Sequence, residues 1–217
     1  MARRDGWLGR RERGLGLTGI LVLAALAAGT AWAGEAGAAG GGEGAARGGP
    51  PERGRDAVLF WGPGYVFSLS APPGFRVDER AGREHGYEAF VVPLLPEAPD
   101  LLIAVGVIRR GPTGEPSAAA LVREDEETYR LTDRQAEPRE PPALEAPDGR
   151  RPLLGHHYVP KWREHHLSAY FEERAVVVHL FMAVPAELLP AGALEAFARL
   201  VASYRFVTDR VAFERGL

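Results

Sequence analysis

His165-His166-Leu167-Ser168-Ala169-Tyr170-Phe171 and, after Glu172-Glu173-Arg174, Ala175-Val176-Val177-Val178-His179-Leu180-Phe181-Met182-Ala183-Val184 are the two runs on which the fold turns. Both read as strands. The second is apolar almost without a break, which marks a strand covered on both faces. Pro190 then opens a helix over 191–204. Its Leu194, Phe197, Ala198, Val201 and Tyr204 recur at the spacing of one helix face. A strand buried on both sides and an amphipathic helix beside it call for a layered arrangement.

Upstream, Tyr65-Val66-Phe67-Ser68-Leu69-Ser70 alternates at the period of a half-buried strand, and Ala71-Pro72-Pro73-Gly74 supplies a turn. Strands are expected over 75–78, 87–94 and 101–109, with a polar loop over 79–86 and a Pro-containing turn at 96–99. Pro116 or Ser117 opens a helix reaching Leu131, on which Ala118, Leu121, Val122, Asp125 and Tyr129 share a face. The acidic run Glu124-Asp125-Glu126-Glu127 lies partly on its wet side. Residues 132–142 read as a loop. Asp148-Gly149 reads as a hairpin turn between strands over 142–146 and 151–160. Strands, a helix, more strands and a helix make an α+β fold: a mostly antiparallel β-sheet with helices packed on it. No internal repeat is present.

The remaining sequence concerns address. Arg3, Arg4, Arg10, Arg11 and Arg13 precede an uncharged stretch, 14–34, whose apolar part is 15–28 and which closes on Ala31-Trp32-Ala33. A basic start, a short apolar run and an A-x-A end compose a secretory signal peptide over 1–33. The same run is just long enough to act as an uncleaved anchor. In both cases the rest of the chain faces outward, so the expected location is periplasmic or extracellular. Residues 34–55, Gly- and Ala-rich without a large apolar side chain, read as a disordered linker. A single α+β domain over 56–217 follows.

Composition narrows the chemistry. The chain has 217 residues, 46% of them hydrophobic, and no cysteine. Disulfides, thiol catalysis, Cys-ligated metals and a lipid-bearing cysteine are thereby excluded. Residues 1–33 carry five Arg against Asp5 and Glu12, so the net charge of −3 becomes −6 without them. Such an acidic product is not expected to bind nucleic acid through its backbone charge.

Two pieces carry a family resemblance. Tyr65 through Phe75 is similar to the opening strand and Pro-Gly-aromatic turn of the PsbP-like family. Residues 175–184, the Pro-bounded helix and Ala202-Ser203-Tyr204-Arg205-Phe206 resemble that family's C-terminal half. The family shares its fold with the bacterial DcrB-type periplasmic proteins and a Ran-binding nuclear protein. The resemblance spans roughly residues 60–207 and implies a PsbP-like α/β/α sandwich. Its members include photosystem accessory proteins and secretion chaperones, so it implies no particular function and no site residue.

One cluster stands out: Gly155-His156-His157-Tyr158-Val159-Pro160-Lys161-Trp162-Arg163-Glu164-His165-His166 holds four of the six His. With hairpin tips at Trp162-Arg163 and Glu173-Arg174, His157 lies opposite Ser168, and Ser168 lies opposite His179. That register gathers His157, His166 and His179 on one face, as candidate ligands for Zn or Cu. The plain alternative is polar surface, and a one-residue slip would send His179 to the other face. No Ser lies in a G-x-S-x-G elbow, and Ser168 beside His166 or His179 is the sole hint of a hydrolase. The acidic run lacks the spacing of a calcium loop. Gly111-Pro112-Thr113-Gly114 is too short for a phosphate loop and has no following Lys. Trp61 and Trp162 are candidates for partner anchors or for core packing.

The expected function is therefore a non-catalytic binding or accessory module acting on another envelope protein, with membrane contact only through an uncleaved N-terminus. A His-dependent transition-metal protein and a hydrolase are the alternatives. N-terminal sequencing of the native protein is expected to begin at Gly34; an intact start in the membrane fraction would mark an anchor instead.

Overall fold

The computed structural model describes residues 57–94 and 101–211. The leader over 1–33, the linker over 34–55 and the turn at 96–99 lie outside the described residues. In order, the elements are β1 (Ala57–Gly62), β2 (Tyr65–Ser70), β3 (Phe75–Asp78), α1 (Glu79–Glu84), β4 (Ala89–Pro93), β5 (Leu102–Arg109), α2 (Ala118–Thr132), β6 (Glu137–Pro138), β7 (Leu153–Val159), β8 (Glu164–Glu172), β9 (Val176–Pro185), a π-helical turn (Leu189–Ala193), α3 (Leu194–Ser203) and β10 (Arg205–Thr208). No helix among the described residues is long and apolar enough to cross a membrane.

The strands form two sheets, and each strand pair is antiparallel. The larger runs β3-β4-β5-β9-β8-β7-β6, and the smaller runs β1-β2-β10. β9 lies inside the large sheet, bonded to β5 on one edge and β8 on the other. Its residues from Val176 to Val184 are all buried, as its almost continuous apolar sequence predicts.

The two faces of the large sheet are covered differently. On one face Val176, Val178, Leu180, Met182 and Val184 join Leu167, Ala169 and Phe171 in the main core. That core is closed by Phe197, Leu200 and Val201 of α3 and by Tyr65, Phe67 and Leu69 of β2. Tyr204 ties the sheets together: its ring stacks on Phe171 at 3.9 Å and lies 5.7 Å from Phe67. On the opposite face α1 covers Phe90 and Phe181 through Ala81. There α2 covers Tyr170 and Val177 through Ala118 and Leu121. Helices or the small sheet thus cover both faces of the large sheet, which is the α+β layering expected.

Local signals account for the well-read elements. Ser117 caps α2, its hydroxyl accepting from Ala120 N at 3.2 Å. Residues 79–86, expected as loop, instead begin with α1. Asp78 caps this helix by accepting from Ala81 N at 2.9 Å, and Arg80–Glu84 and Arg83–Glu79 pair at i,i+4. These polar devices leave no apolar periodicity to read. The strands β1 and β10 were not anticipated. The expected hairpin over 142–160 keeps its turn, with Gly149 at φ 79°, but 142–146 forms no strand and β7 pairs with β6 and β8 instead. Its edge partner is β6, and Arg139 N donates to His156 O just beyond it.

Phe197 is 1% exposed at the centre of the main core. Phe197→Ala is expected to cost about 3–5 kcal/mol and Leu180→Ala about 2–5 kcal/mol. Denaturant midpoints check both; an unmoved midpoint in Phe197→Ala would contradict the docking of α3.

Candidate functional site

The His hairpin folds with a longer tip than the sequence suggested. Val159 pairs with Glu164, so the turn is Pro160–Arg163, with Arg163 at φ 55°. His157 therefore lies opposite His166, and Ser168 lies opposite Gly155. The next tip is Arg174-Ala175, so Tyr170 rather than Ser168 lies opposite His179. Each register differs from expectation by two residues. Side chains alternate with period two, so His157, His166 and His179 still share one face of the sheet.

The expected grouping of the three is nevertheless corrected. His157 and His166 meet, but His179 sits four residues along from the partner of His166, about 13 Å at strand rise. Phe181 stands between, its ring 5.4 Å from His166 and 6.0 Å from His179. Both nitrogens of His166 are engaged, Nδ1 with Tyr129 Oη at 3.0 Å and Nε2 with Glu164 Oε2 at 3.1 Å. Among the described residues, no group of three or more His, Asp or Glu is placed to hold a metal ion.

What the face holds instead is a buried polar seam between the sheet and α2. The carboxylate of Glu164 only accepts, so the network assigns the proton to Nε2 of His166. In the neutral ring Nδ1 is then the acceptor for the Tyr129 hydroxyl. Tyr129 stacks on His157 at 4.2 Å, and Trp162 from the hairpin tip stacks on His166 at 5.7 Å. One helical turn back, Asp125 accepts hydrogen bonds from Tyr170 Oη and from Ser168. Tyr170 in turn lies flat on His179, 4.4 Å between ring centres. At the start of α2, Ala118 N donates to Glu172 Oε2 at 2.8 Å.

Burial shifts the titration of Asp125, His157 and His179. It pushes the Asp125 carboxyl up to about 7, against the hydrogen bonds from Tyr170 and Ser168, with Glu124 adding to the rise. Burial also holds His157 down at about 4 and His179 at about 3. His179 Nε2 is buried with no hydrogen-bond partner among the described residues, consistent with a neutral ring. Ser168 is 4% exposed beneath α2, so its hydroxyl serves the helix contact.

Asp125 and Tyr129 were legible on the inner face of α2 from their spacing after Leu121. Their partners Tyr170 and His166 were not, because those contacts follow from the β7–β8 and β8–β9 registers. Elsewhere the structure exposes Trp61 to 60% on β1, while Trp162 packs on the seam. Arg110, Arg174 and Arg210 line an open cleft of ≈ 560 Å³ with Asp209.

No family model matches the chain, and no curated protein matches its sequence. Among solved structures, the chain is similar to the solution structure of cyanobacterial PsbP (CyanoP) from Synechocystis sp. PCC 6803. The TM-score is 0.46 at 15% identity, covering 74% of this chain and 98% of that one. That protein is of the type named from the strand-turn and helix-end motifs, and the likeness is one of fold alone.

The seam predicts a pH response. Asp125 binds its proton more tightly folded than unfolded, so its contribution to stability falls as pH rises from about 4 to about 7. His157 and His179 act oppositely, costing stability as pH drops below about 6.5 toward their folded values. Asp125→Asn, which keeps an acceptor for Tyr170, is expected to stabilise at pH 8 by up to about 4 kcal/mol and to converge with the parent near pH 4. Thermal melts across that range check it, and parallel curves would refute it.

Proposed function

We propose that the chain is an exported, non-catalytic binding module of the cell envelope that docks on another protein through the outer face of its small sheet. The observation that carries this reading is the apolar surface of β1-β2-β10. Leu59 and Trp61 on β1 and Val207 on β10 are 54%, 60% and 59% exposed. Trp61 pairs with Val66 on β2, and Val66 with Thr208 on β10, so these side chains lie on hydrogen-bonded neighbours. Scattered exposed apolar residues are ordinary, whereas an aromatic set among aliphatics on one sheet face is the composition of an interface core. The inner face of the same sheet is consumed by the core through Phe60, Phe67 and Leu69.

The polar seam supports the same reading from the other side. Its acids, imidazoles and hydroxyls are turned toward one another beneath α2, where they dock the helix. Export rests on the leader and its Ala31-Trp32-Ala33 end, and the partner is then a component of the envelope or the space outside it.

Leu59→Ser combined with Trp61→Ser is expected to leave the melting temperature within a few degrees, since both side chains are more than half exposed. The double variant is expected to lose the partner that co-purifies with the parent chain from its native envelope. Equal recovery of that partner with parent and variant would move the interaction to another surface.

A further inference from the structure

We infer that the partner seated on this face is an acidic protein segment, its apolar side chains on Trp61 and Leu59 and its carboxylates on the arginines at the border. This rests on the outer-face reading above and adds the chemistry of the occupant.

The charge pattern carries the inference. Without its leader the chain has a net charge of −6, yet the outward positions of β1, β2 and β10 include no carboxylate. Leu59, Trp61, Val66, Ser68 and Val207 are neutral, and Arg205 is the one charge among the outward positions described. Ser68 pairs with Leu59 on one side and with Arg205 on the other, so the guanidinium borders the apolar patch directly.

The same charge continues past the end of the sheet. Beyond Thr208, opposite Val66, the chain runs into Asp209 and Arg210, which line the arginine cleft. The β1–β2 turn abuts the cleft wall, since a Cβ on Gly64 would lie 3.1 Å from Cβ of Ala175. Within the cleft Arg110 is committed, donating to Gly114 O and Glu173 O and pairing with Glu172 at 2.8 Å. Arg174 is 85% exposed and meets Asp209 only at 3.5 Å. Arg210 is exposed, and its guanidinium has no ion pair among the described residues. Arg174, Arg205 and Arg210 thus present forked donors suited to carboxylates, and among the described residues Asp209 is the one acid lining the cleft.

Other occupants fit less well. A second copy joined across a two-fold axis would set these arginines against themselves. A lipid headgroup has no use for the backbone of β1, which ends the small sheet with one edge unpaired among the described strands. An extended polypeptide can pair along such an edge.

The test places p-benzoyl-phenylalanine at position 68, in place of Ser68, in the full chain, made in the cells that produce it natively. After irradiation, adducts are digested and sequenced. The expected adduct is a peptide of another protein in which Asp and Glu outnumber Lys and Arg. A peptide without that excess overturns the acidic partner while leaving the docking face standing. A phospholipid adduct, a self-adduct or no adduct overturns both. A second arm combines Arg205→Glu with Arg210→Glu, and separately Arg205→Lys with Arg210→Lys. The reversal is expected to cut adduct yield by roughly tenfold at low salt and the lysine pair to retain most of it. Equal yields in all three chains, with unchanged melting temperatures, would overturn the proposed charge contact.

Discussion

Val176–Pro185 is hydrogen-bonded along both edges and buried from Val176 to Val184, and the rest of the molecule is arranged by the need to cover it twice. A strand whose two faces both avoid water cannot stand at the border of a sheet, nor in a sheet with one wet face. β5 and β8 close its edges. α3 and the small sheet close one face, while α1 and α2 close the other. The interior place of β9, between β5 and β8, meets this requirement.

The two covers use different physics. Against α3 the contact is apolar, and its strength grows with area and has no direction. Against α2 the apolar contact of Ala118 and Leu121 is joined by a line of hydrogen bonds and stacked rings, from Glu172 through Tyr170 and Asp125 to Tyr129, His166 and Glu164. Such contacts have geometry, and leaving one buried member unpaired costs about 1–3 kcal/mol. The seam therefore defines where along the sheet α2 sits, which a purely apolar face would define less sharply. Burial lifts the Asp125 carboxyl to about 7, so its state changes near neutral pH.

The small sheet links the fold to its surface. Phe60 and Phe67 stack at 5.0 Å on its inner side. Tyr204 continues the ring contacts to Phe171, and its hydroxyl donates to Glu173 at 2.8 Å. Arg150 braces the same carboxylate and lies over the Tyr204 ring at 5.6 Å. One face of a three-stranded sheet is thus held firmly by aromatic packing, and the opposite face can present Leu59 and Trp61 without the fold depending on them.

Periodicity within a segment is a property of the chain alone, and the features that rest on it could be read directly. Tyr65–Ser70, Phe75–Asp78, the Ser117-capped helix, β8 and β9 all follow from spacing and capping. The shared face of His157, His166 and His179 also survived, because a register shift of two residues preserves which side a residue points to. What two hairpins meet across their strands is another matter. The tip of β7–β8 took four residues instead of two, which set His166 against His157, and the tip of β8–β9 fell at Arg174-Ala175, which left His179 under Tyr170. Likewise β1 and β10 became strands because β2 offered them edges, and Asp125 became a buried acid because β8 brought Tyr170 and Ser168 beneath it. Local pattern decided the elements and the side each residue faces, whereas register and coverage depend on free energy gained only when distant segments pack together, and so were decided by the tertiary structure.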